Sequence, residues 1–167
     1  MKPHRPEPAL LLKKGELSLS GPALKDLMQA VLRKHVPFRF RASGFSMAPF
    51  IKDGDVLTVF PVIDSPPGIG DVAAFSHPAG GRLAVHRIVA QNKSGYRLKG
   101  DGADDADGMV SQANIIGIVR KVERNGHRVL LGLGPEKILI AFLSVTGLLS
   151  HLLRPLWLFF KTLRGVR

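Results

Sequence analysis

Cysteine is absent from the chain. That excludes disulfides, thiolate nucleophiles and Cys-type zinc sites, although it points to no compartment. Aromatic residues other than Phe are scarce, with one Trp and one Tyr among 167 residues. Basic side chains therefore have few stacking partners, and no aromatic-interleaved basic patch of the kind that binds nucleic acid stands out. Acids are few as well, 13 against 24 Lys and Arg, for a net charge of +11. A long apolar run is missing from the N-terminus. Residues 9–12 are too short for the core of a secretory signal, and no transmembrane helix opens the chain.

The length suits one domain with a modest core, and 45% hydrophobic with 22% charged residues is ordinary for a globular protein. The positive charge sits at the ends. Residues 1–41 carry +6, residues 120–167 carry +7, and residues 42–119 carry −2. Two basic ends around a nearly neutral centre suggest that the ends face something anionic, lipid head groups or nucleic acid.

Residues 1–17 read as a flexible basic arm. Residues 18–37 read as an amphipathic helix. Ser20 stands at the N-cap, Pro22 lies in the first turn, and Leu24, Leu27, Met28, Val31 and Leu32 form one stripe. From residue 38 to 133 the pattern becomes short apolar runs broken by Gly, Pro and Asp. Strands are predicted at 38–40, 56–59, 72–75, 83–89, 96–98 and 115–122, with a last one within 127–133. The expected fold is mainly β, a curled antiparallel sheet or small barrel with an amphipathic helix at each end. Residues 136–167 read as a basic amphipathic helix. Ile138, Ala141, Phe142, Val145, Leu148 and seven further apolar positions from Leu149 to Leu163 share a wide face, and Ser144, Gly147, Ser150, His151, Arg154, Lys161 and Arg164 fall opposite. Trp157 and the wide apolar face suit a membrane interface, Pro155 would kink the helix, and the plainer alternative is a core or dimer contact.

Three stretches carry chemistry. Residues 43–55 read Ser-Gly-Phe-Ser-Met-Ala-Pro-Phe-Ile-Lys-Asp-Gly-Asp. Ser46 there lies in irregular backbone, where its N–H is not committed to a ladder, yet most serines in turns only satisfy local hydrogen bonds. Residues 83–89 form an alternating strand that puts Ala84, His86 and Ile88 on one face and Val85, Arg87 and Val89 on the other. A lone histidine in such a strand is usually structural. Residues 99–107 form an acid-rich loop with Asp101, Asp104, Asp105 and Asp107, whose spacing does not match a calcium-binding EF-hand.

Taken together, over about residues 38–122, these stretches resemble the type I signal peptidases, in particular the archaeal and endoplasmic-reticulum branch that uses His where bacterial enzymes use Lys. The resemblance implies Ser46 as nucleophile, His86 as general base, Asp107 as the acid supporting it, and Asp101 as the aspartate of the Gly-Asp box. Asp104 and Asp105 remain alternatives to Asp107. Ser43, Gly44 and the Ser46 N–H belong to the expected oxyanion turn, with Gly44 where the family commonly has a serine. The implied activity is a serine endopeptidase that cleaves a precursor protein after a small residue, through an acyl-enzyme, with no cofactor and no metal. Its substrate would lie extended along a sheet edge. Expected partners are that peptide and an anionic membrane surface reached through the C-terminal helix. Nucleic acid is disfavoured, since no helix-turn-helix precedes residue 38. The alternatives are a non-secretory peptidase, a self-cleaving regulatory module like the repressors that share Gly-x-Ser-Met, and a catalytically idle peptide-binding domain.

Overall fold

The computed structural model describes residues 19–63 and 66–148. The expected arm at 1–17 and the helix beyond residue 148, with Pro155 and Trp157, lie outside the described residues.

Helix α1, Gly21–Leu32, begins after Ser20 with Pro in its first turn. Its stripe turns Met28 and Leu32 into the core, while Leu27 stays at the rim. His35, with φ of 59°, turns the chain out of the helix. Seven strands follow: β1 Phe38–Arg41, β2 Val56–Phe60, β3 Val72–Ser76, β4 Leu83–Asn92, β5 Gly95–Lys99, β6 Ala106–Val110 and β7 Ile115–Arg124. An Asn125-Gly126 turn with positive φ at both residues links β7 to the short β8, His127–Arg128. The last strand is thus two residues, shorter than the sequence pattern suggested.

All strand pairs are antiparallel, in the order β1-β2-β7-β3-β4-β5-β6, with β8 beside β7. The fold is mainly β, and the sheet is open, with β1 and β6 at its edges, so the small-barrel alternative does not hold. β3 runs through the middle. Its Val72 and Ala74 join one apolar cluster with Met28, Leu32, Leu57 and Val119, and its Ala73 and Phe75 join another with Ile88, Leu98 and Val110. Side chains alternate across a strand, so β3 is covered on both faces, which is why its sequence is apolar without alternation.

The last described helix is α2, Lys137–Val145, with Gly147 at φ of 72° just past it. Its orientation departs from the expected pattern. Ile140, Ala141 and Ser144 are buried, whereas Ile138, Leu139, Phe142 and Val145 face outward. Lys99 Nζ donates to the Ser144 carbonyl at 2.7 Å, and Lys137 Nζ donates to Asp71 at 2.7 Å. A Cβ at Gly70 would stand 2.8 Å from the Lys137 backbone, so the start of α2 can approach this closely only over a glycine. Among the described residues no helix is long and apolar enough to cross a membrane.

Candidate active site

Ser46 lies in the connection between β1 and β2. Its neighbour Met47 and the nearby Ile51 are buried in the core, which leaves Phe45 and Ser46 facing outward. The turn is fixed by acids within it. The Gly44 N–H donates to Asp53 at 2.9 Å, and the Lys52 N–H donates to Asp55 at 2.8 Å. Asp55 is in turn forked by Arg124, with both contacts at 2.8 Å. Gly44 has φ of 103°, a conformation that side-chain-bearing residues rarely adopt. Among the described residues no acceptor takes the Ser46 N–H.

His86 comes from β4, opposite Ala73 of β3. Its Nε2 lies 3.0 Å from the Ser46 hydroxyl, and its Nδ1 bonds the Asp107 carboxylate. The Phe75 ring, fully buried, stands 5.8 Å from the imidazole. Asp107 belongs to β6, where the sequence pattern suggested a loop. Pairing of β6 with β5 aims it at β4. A carboxylate on Nδ1 leaves Nε2 unprotonated in the neutral ring and facing the hydroxyl, which is the tautomer a base needs. Burial pushes the Asp107 carboxyl up, but the His86 hydrogen bond, the His86 and His77 charges and the His77 hydrogen bond outweigh it. The net effect holds Asp107 below the ordinary carboxylate value.

Asp101 stands elsewhere. It accepts a two-point contact from Arg87, at 2.7 and 2.6 Å, with both side chains fully buried. Burial is the larger influence and raises the Asp101 pKa against the Arg87 pair. Arg87 Nη1 also donates to the carbonyls of Gly70 and Gly132, each at 2.8 Å. The Gly-Asp box therefore ties its hairpin to β4 and does not contact the imidazole. The flanking glycines matter too: the Gly102 N–H donates to the Ser46 carbonyl at 2.8 Å, and a Cβ at Gly100 would lie 2.5 Å from that oxygen. Asp104 and Asp105 are exposed, and Ser43 lines the cleft.

Two residues escaped the sequence pattern. Arg87 could have been noticed as a charge inside an apolar strand. His77, whose Nε2 is 3.2 Å from Asp107, gave no signal beyond being a second histidine nine positions from His86 across a hairpin.

Beside Ser46 and His86 opens a cleft of about 410 Å³, lined by Phe40, Met47, Leu57, Leu83 and Val85 and by Leu24 of α1. Two strand edges border it. Among the described residues β1 pairs only with β2, and β4 pairs with β5 only from Arg87 onward, which leaves the cleft side of residues 83–86 without a described strand neighbour. No group of three metal-ligating side chains is poised for an ion among the described residues. His77 and His86 each point at an oxygen of Asp107 and do not converge on a shared point. The arrangement is a hydrogen-bonded Ser-His-Asp chain at the mouth of an apolar cleft on an antiparallel β fold. Comparison with family models, curated proteins and solved structures finds no match.

Proposed function

We propose that the chain is a serine endopeptidase resembling signal peptidase I, with Ser46 as nucleophile, His86 as general base and Asp107 as its support. The observation that carries this reading is the continuous path from the Ser46 hydroxyl through the imidazole to the carboxylate, with Ser46 to His86 at 3.0 Å. In the proposed reaction the Ser46 oxygen adds to the scissile carbonyl as its proton passes to His86 Nε2. The carbonyl oxygen becomes an oxyanion facing the Ser46 N–H. The C–N bond then breaks, the departing amine takes the proton from His86, and an acyl-enzyme remains. Water, deprotonated by the same imidazole, releases the acid and regenerates Ser46.

The substrate in this reading is an extended segment of a precursor protein that adds its backbone to the edge at residues 83–86 of β4. The small residue before the cut follows from the family resemblance. The exposed apolar face of α2, with the exposed Leu130 and Leu131, supports an anionic membrane surface as second partner.

The test is replacement of Ser46 and His86 with cleavage of a protein precursor as the readout. Ser46→Ala is expected to abolish cleavage without lowering the melting temperature, and His86→Ala to lose at least about two orders of magnitude. A fluorophosphonate or boronate is expected to label Ser46, located by mass mapping. Cleavage by Ser46→Ala at the wild-type rate would overturn the reading.

A further inference from the structure

The geometry points to His77 as a positioning residue of the same site, one that holds Asp107 in the orientation His86 requires. The inference rests on the peptidase reading for its kinetic consequence, but not for the geometry from which it is argued.

His77 follows the last residue of β3, at the start of the hairpin that leads to β4. Its backbone is fixed on both sides. Its N–H donates to the Arg82 carbonyl at 2.8 Å, and its own carbonyl accepts from the Gly81 N–H at 2.9 Å. The hairpin is anchored further by Lys25 of α1 and by Ser76, which both donate to the Gly81 carbonyl, at 2.5 and 3.1 Å. The imidazole packs beside Phe75, 6.1 Å between ring centres, so one buried ring supports both His77 and His86.

The hydrogen bonds also select the tautomer. Nδ1 of His77 accepts from the Ala79 N–H at 3.1 Å, so in the neutral ring the proton sits on Nε2. That nitrogen faces Asp107 Oδ1 at 3.2 Å, while Oδ2 takes the His86 contact. Each carboxylate oxygen therefore has its own imidazole donor. Asp107 and His77 are both mostly buried, so losing the His77 donor would leave Oδ1 unpaired in a site short of water. The carboxylate would then be free to rotate about its side-chain torsions, and the ring of His86 would lose its fixed aim at Ser46. His77 lines the cleft but makes no hydrogen bond to the Ser46 hydroxyl, and its Nε2 contact is to Asp107. Its action passes through Asp107, in the manner of outer-shell partners that orient a reacting ligand.

The test compares His77→Leu, which keeps apolar packing against Phe75 but has no donor, with His77→Gln, which keeps an N–H donor at the end of the side chain. Two readouts are taken on the full chain: kcat and KM for precursor cleavage, and the proton resonance of His86 Nδ1–H. His77→Leu is expected to lower kcat about ten- to hundredfold with KM little changed, the scale seen for such outer-shell partners. It should also move or broaden the His86 Nδ1–H signal, and His77→Gln should restore most of both. Wild-type kcat and an unmoved His86 signal in His77→Leu would overturn the inference. So would equal losses in the two variants, which would make His77 a packing residue. The resonance needs no substrate and can be recorded in the Ser46→Ala background. A signal that responds to His77→Leu, when the wild-type chain with Ser46 intact cleaves no precursor, would retire the peptidase reading and leave the His77–Asp107–His86 linkage standing.

Discussion

Asp101 and Asp107 lie six positions apart in one acid-rich segment, yet their surroundings give them opposite roles. Asp101 neutralises the fully buried Arg87, whose Nη1 donates to two backbone carbonyls. Asp101→Ala would leave a buried guanidinium without its counter-charge, a change that costs on the order of 3–5 kcal/mol. The expected result is a strongly lowered melting temperature or failure to fold. Asp107→Asn should behave differently. It keeps the volume and most of the contacts, so the melting temperature should change little, while cleavage falls by about two to four orders of magnitude as the imidazole loses the carboxylate that fixes its tautomer. Thermal denaturation and kinetics on the two variants separate the roles, and a stable Asp101→Ala with impaired catalysis would reverse the assignment. Spacing alone did not distinguish the two aspartates; the family resemblance did, implying Asp107 beside the base and Asp101 in the Gly-Asp box. The alternation of β4 already separates His86 from Arg87 by face, but which acid meets which base depends on where the β5–β6 hairpin sits, and that is set by tertiary contacts.

Local signals were clear for most elements and weak for two. Ser20 and Pro22 mark the start of α1, and six strands announce themselves by apolar runs between turn residues. β6 does not, because Ala106, Asp107 and Gly108 have little strand preference, and its pairing with β5 supplies the order. α2 misleads in another way. Its wide apolar face suggests inward packing or membrane contact, and the helix docks through Ile140, Ala141 and Ser144, with Lys137 over Gly70, so most of that face is left outward. The connection between β5 and β6 shows how an element can position a nucleophile it does not contain. Gly100 sits against the Ser46 carbonyl so closely that any side chain there must displace one or the other. Gly100→Ala is therefore expected to shift the nucleophile turn, lowering kcat by at least about tenfold, since small displacements of a reacting atom are costly. Gly108→Ala, at a position with nothing within 4 Å of the added carbon, is the comparison for simple loss of glycine in the same hairpin, although its φ of 82° adds local strain. An unchanged kcat in Gly100→Ala would show that the turn tolerates the displacement.

Across the whole molecule, acids tie distant parts together. Asp55 joins the nucleophile turn to β7 through Arg124, and Asp71 joins the sheet to α2 through Lys137. For Asp55 and Asp71 burial pushes upward, but the hydrogen bonds and neighbouring cations prevail and lower both pKa values, as for Asp107. A carboxyl with a lowered folded pKa stabilises the fold fully above its unfolded value, about 3.9, and that contribution disappears as pH falls through the folded value. Melting temperature should therefore be level above about pH 5 and drop below about pH 4, and Asp71→Asn should reduce that slope. The same anchoring of α2 bears on what its outer face meets. With Lys99, Lys137 and Ser144 holding the inner side, Ile138, Leu139, Phe142 and Val145 are turned outward, Phe142 with 63% of its surface exposed. In the membrane reading these side chains enter the lipid interface while the basic ends meet the head groups. Burial of one Phe contributes about 1.5–3 kcal/mol, so Phe142→Asp should weaken partitioning to anionic vesicles by about tenfold or more. Phe142 is not part of the cleft, so cleavage of a short soluble peptide should persist in that variant. Sedimentation with vesicles at about 0.1 M and about 1 M salt distinguishes the two contributions, because screening weakens attraction to head groups and leaves apolar insertion largely intact. Equal vesicle binding by wild type and Phe142→Asp at both salt concentrations would remove the α2 face from the membrane contact and leave it available to a protein partner.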